Sequence, residues 1–102
     1  MTLKQFRNLL LTVTERVGHG ERFKDEKNYI VWHEVGVIGL NGDNCQAEKG
    51  YRIAVDYYTK DEYDVNADKI TELFNNDEIF ADDAVIEPDT GYTHYAWTCE
   101  VV

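Results

Sequence analysis

Tyr51, Ile53, Val55 and Tyr57 alternate with Arg52, Ala54, Asp56 and Tyr58 in one uninterrupted run. A period of two marks a strand with one buried face, because successive Cβ atoms point to opposite sides of the pleat. The C-terminal residues repeat the pattern. Thr93, Tyr95, Trp97, Cys99 and Val101 share one face, and Tyr92, His94, Ala96, Thr98 and Glu100 share the other. Two such strands in a chain of 102 residues require a sheet packed on one side against something else.

The helical periodicity that supplies this cover appears twice. Thr2 is placed as an N-cap, with Gln5 completing a capping box. Leu3, Phe6, Leu10, Val13 and Val17 then recur at three- and four-residue spacing, and Leu9 widens the stripe. Gly18 is predicted to stop this helix in the left-handed conformation. The second stripe is Ala67, Ile70, Leu73 and Phe74, with Asp64 as its N-cap. Between the helices, GERFKDEKN (residues 20–28) reads as a loop and residues 29–33 as a strand, which residues 35–40 continue past a glycine-marked bend or bulge. NGDN (residues 41–44) is a turn, and residues 45–59 return as a strand. Residues 79–86 form a weaker strand interrupted by Asp82 and Asp83, before the PDTG turn (residues 88–91) and the last strand.

The order is therefore α-β-β-α-β-β. It predicts an α+β fold in which a four-stranded antiparallel sheet carries both helices on one face, in a single domain spanning residues 1–102. Leu3, Phe6, Leu10, Val13, Ile53, Val55, Ile70, Leu73, Tyr95 and Trp97 are the expected core. Tyr58 and Tyr92 fall on the opposite faces of their strands and are predicted to be an exposed contact surface, since a Tyr ring gives large contact area at little entropic cost.

Charge is distributed unevenly. Residues 1–60 hold nine Lys/Arg and eight Asp/Glu, whereas residues 61–89 hold eleven Asp/Glu and only Lys69. One third of the chain thus carries nearly all of the −10 net charge. Nucleic-acid affinity is built from Lys and Arg neutralising phosphates, which argues against direct phosphate binding by this segment. Its acids, with Asp61, Asp82 and Asp83 as candidates, read as a solvated face or as an interface to a basic partner.

No catalytic constellation emerges. His94 and Cys99 are five residues apart on one strand and point to opposite faces, and Cys45 has no neighbouring Cys or His, so no metal site is expected. Asp82, Asp83, Glu87 and Asp89 lack the spaced ligand ladder of a calcium loop. Gly36, Gly39 and Gly42 do not match a phosphate-binding loop. No catalytic residue and no cofactor is assigned. Cys45 and Cys99 are expected to be reduced and inert, as in a cytosolic protein. No stretch reaches the roughly 20 apolar residues of a membrane span, and the charged N-terminal segment is not patterned as a signal peptide.

The segment RIAVDYYTKDEYDVNADKITELF (residues 52–74), followed by DTGYTHYAWTCEVV (residues 89–102), resembles the small tail completion proteins of long-tailed bacteriophages and prophages, also called minor capsid, head–tail joining or tail terminator proteins. The element order is similar to the tail-terminator fold as well. The resemblance implies a virion structural protein, not an enzyme, assembled in the host bacterial cytoplasm and located in the virion tail. Such proteins form a ring, usually hexameric, at the head-proximal end of the tail. The ring ends polymerisation of the tail tube protein and meets the head connector protein, and DNA later passes through it without specific binding. An acidic inhibitor that mimics DNA and blocks a host nucleic-acid-binding protein is the alternative the charge allows, although the first 60 residues are nearly neutral.

Overall fold

The computed structural model describes residues 1–25, 27–39 and 49–102. In chain order the elements are α1 (Leu3–Leu11), β1 (Val17–His19), β2 (Tyr29–Gly39), β3 (Lys49–Thr59), α2 (Val65–Leu73), β4 (Ile79–Ala81), β5 (Val85–Asp89) and β6 (Tyr92–Val101). The α+β class and the two helices are as expected. The sheet is not the four-stranded antiparallel one: it has six strands and is mixed. Its order is β1-β2-β3-β6-β4, with β5 also paired to β6.

The two alternating segments form the centre. β3 and β6 run antiparallel with Val55 opposite Trp97 and Ile53 opposite Cys99. β2 lies on the other side of β3, and the register shifts between Glu34 and Gly36, where the sequence marks a bulge. The turn at residues 41–44, the start of the returning strand at 45–48 and Cys45 lie outside the described residues.

Two differences enlarge the sheet. The first helix ends at Thr12 rather than near Val17. The Thr12 hydroxyl donates to the Leu9 carbonyl at 2.6 Å, and the Thr14 hydroxyl accepts from the Arg16 N–H at 3.2 Å. These local bonds compete with the helical ladder in a β-branched stretch. Val17 reaches the core as part of β1, which pairs in parallel with β2. His19 is the last residue of this strand. Gly18 is needed for close approach, since a Cβ there would lie 2.3 Å from the Glu21 carbonyl oxygen, while the left-handed residue is Gly20 at φ 73°. The other difference is at Asp82 and Asp83, which separate β4 from β5, so the expected weak strand is two short ones on the outer flank of β6.

Both helices cover one face. Phe6, Leu10, Ala67, Ile70 and Phe74 pack against Ile30, Trp32, Ile53, Val55, Tyr57, Trp97, Cys99 and Val101 in one buried cluster. An aromatic chain ties its layers together: Trp32 meets Phe6 edge-on at 5.7 Å, Phe6 stacks on Phe74 at 6.2 Å, and Phe74 meets Trp97 edge-on at 5.9 Å. Of the expected core, Leu3, Val13, Leu73 and Tyr95 are only partly buried and pack against its margin. No helix among the described residues is long and apolar enough to cross a membrane.

Candidate assembly surface

The face of the sheet away from the helices is divided in two. On one half, Tyr29, Val31 and Tyr58 form a second buried cluster with Phe23 and Tyr92 packed against it. Tyr58 is 3% exposed, which corrects the expectation that it is an exposed contact residue. Alternation assigns a side chain to a face but not what covers that face, and here Arg22 and Phe23 lie across it. The Arg22 guanidinium lies 4.7 Å over the Tyr58 ring and donates to its hydroxyl at 2.6 Å. Tyr29 stacks on Tyr58 from one side at 4.9 Å, and His94 stacks on it at 4.5 Å. Burial raises the Tyr58 and Tyr29 phenols above their ordinary range, against the opposing pull of Arg22. Tyr92 is half-buried, edge-on to both rings, and is the partly open member of the pair.

His94 bridges three strands. Its Nε2 is 2.7 Å from Asp56 Oδ1 on β3, and its Nδ1 is 3.4 Å from Glu87 Oε1 on β5. Both ring nitrogens face carboxylates, so the ring ties the edge strand β5 to β3 across β6. His94 and Cys99 lie on opposite faces, as the spacing implies. Among the described residues no group of His, Cys, Asp and Glu converges as metal ligands.

The other half of this face is open. Phe80, opposite Glu100, and Val85, opposite Ala96, are 61% and 62% exposed there. Among the described residues no strand lies beyond β5, whose residues are exposed throughout. An apolar strip next to a free strand edge is the kind of surface that proteins protect or use for contact. Pro88, Glu87 and Asp89 protect this edge against unspecific pairing. Sequence reasoning singled out neither Phe80 nor Val85, nor Tyr63, which is 90% exposed just before α2. Their signal was available only as apolar residues in acidic surroundings.

The acidic segment is almost wholly external. Of its eleven acids, only Asp64 is buried. Asp61 accepts from the Asn28 amide at 2.8 Å, which ties Asn28 to the turn after β3. Asp82 and Asp83 are exposed in the break between β4 and β5, and neither is in an ion pair among the described residues.

No protein-family model matches this chain, and no curated protein matches it significantly.

Proposed function

We propose that this chain is a structural subunit of a phage or prophage tail, forming a ring at the head-proximal end that stops tube polymerisation and joins the tail to the head. The observation that carries this reading is where the two resembling segments fall. Residues 52–74 and 89–102 supply the central strand pair β3/β6 and the helix α2, which together make most of the core. The resemblance therefore covers the framework of the fold, not its margin. The open half of the second sheet face, with Phe80 and Val85, offers apolar area for neighbouring subunits.

In this reading the partners are further copies of the chain, the tail tube protein and the head connector protein. DNA crosses the opening without a specific site, and external acids facing the lumen keep it from adhering. Gold-labelled antibody against the chain should mark the head-proximal end of tails in electron micrographs. Labelling of the distal tip, or none on particles, would remove this placement. The exposure of ten of the eleven acids in residues 61–89 favours a second reading, an acidic inhibitor of a nucleic-acid-binding protein. That reading calls for capture of a basic partner by the isolated chain and no effect on tails.

A further inference from the structure

The two ends of the sheet carry opposite charge in similar settings. At the β1 end, a cleft of about 260 Å³ is lined by Leu3, Lys4 and Arg7 of α1, His19 of β1 and Trp32 of β2. Lys4 and Arg7 are exposed, and neither is in an ion pair among the described residues. His19 lies flat on Trp32 at 3.9 Å, with its Nε2 2.8 Å from Glu34, and that bond holds the Glu34 carboxyl below its ordinary range. At the β4 end, a cleft of about 190 Å³ lies between the end of α2 and β4, where Asp82 and Asp83 meet Asn75 and Trp97. Each cleft sits between a helix and the last strand on its side of one sheet. Each is also lined by a buried Trp whose indole N–H has no partner among the described residues.

We propose that these clefts are the two halves of one contact between copies of this chain, with Asp82 and Asp83 of one copy seated against Lys4 and Arg7 of the next. The ring of the proposed function is the assembly this contact would build, and the inference rests on that reading for its closure. Two different patches on opposite edges of one subunit make a head-to-tail contact, which continues from copy to copy until its rotation closes. Because the patches lie on opposite edges, a two-fold contact would use one of them against its own copy, acid on acid or base on base, and like charges brought together oppose it. An acidic segment of another protein would fit the basic cleft but would leave the acidic one without a role.

The test is sedimentation velocity at low ionic strength on three proteins: the parent, Lys4→Glu with Arg7→Glu, and Asp82→Lys with Asp83→Lys. All four side chains are exposed, so both variants should keep the parent's urea midpoint. The parent should form species larger than its 11.8 kDa monomer, and added salt should weaken them. Each variant alone should associate at least about tenfold more weakly, since it presents one sign of charge at both ends. An equimolar mixture of the two should recover association, because every junction then joins acid to base. Variants that associate as the parent does, or a mixture that fails to recover, would overturn this interface while leaving the ring to be judged by tail morphology. A parent that stays monomeric at all concentrations would overturn it too and give the basic cleft to an acidic segment of another protein.

Discussion

Tyr57 donates its hydroxyl to Asp64 Oδ2 at 2.6 Å, joining the end of β3 to the first turn of α2 inside the protein. Thr59 donates to the same oxygen at 2.5 Å, and the Asn66 N–H donates to Oδ1 at 2.8 Å. One carboxylate thus caps the helix and satisfies two buried hydroxyls. Asp64→Ala should cost about 2–4 kcal/mol, combining a lost cap with two hydroxyls left short of an acceptor. Urea unfolding measures this, and a loss below about 0.5 kcal/mol, the size of an ordinary surface change, would show that the junction contributes little.

The same carboxyl sets part of the acid sensitivity. Burial alone would raise it, but the bonds from Thr59, Tyr57 and the Asn66 N–H outweigh burial and hold it below the ordinary Asp range. A carboxyl lower in the folded state contributes stability in full above its unfolded value of about 3.9, and loses it as pH falls through the folded value. The stability gap between the parent and Asp64→Asn should therefore narrow below about pH 4. A gap unchanged from neutral pH down to pH 2 would contradict this assignment.

Trp97 is 2% exposed and joins β6 to Phe74, the C-cap of α2, with Tyr95 stacked on it at 6.0 Å. Trp97→Ala should cost about 3–5 kcal/mol, the usual range for emptying a large aromatic site in a core. A variant that melts like the parent would remove Trp97 from the core.

The strands and their faces were legible where the pattern is local. Tyr51 to Tyr57 and Tyr95 to Val101 announce their buried face by alternation, and Asp64 announces the start of α2. The parallel strand β1 was not legible. Val17 falls at helical spacing from Val13, and only its distant partner Ile30 reveals that it pairs in a sheet. Tyr58 was misread for a related reason, since the residue covering it, Arg22, is 36 positions away. The acidic half of the proposed contact could be read from the sequence, because Asp82 and Asp83 interrupt a strand. The basic half could not, because Lys4 and Arg7 look like the ordinary solvent face of a helix until β1 places His19 and Trp32 beside them.

Cys99 is free and fully buried, and burial, with Asp82 adding to it, pushes its thiol up to about 12. Almost no thiolate forms near neutrality, so the residue should resist alkylation until the protein unfolds. Peptide mapping after iodoacetamide treatment at pH 8 distinguishes Cys99 from Cys45, which lies outside the described residues. Rapid labelling of Cys99 in native protein, or a quantitative Cys45–Cys99 disulfide in fresh preparations, would contradict this.

The ring-forming tail role is tested most directly by electron microscopy of particles assembled without this gene product. Tails that grow to abnormal lengths, or heads and tails that fail to join, are expected, and supplying the parent chain from a plasmid should restore both. Tails of normal length attached to filled heads in its absence would contradict the tail-completion role and make the acidic inhibitor the leading reading.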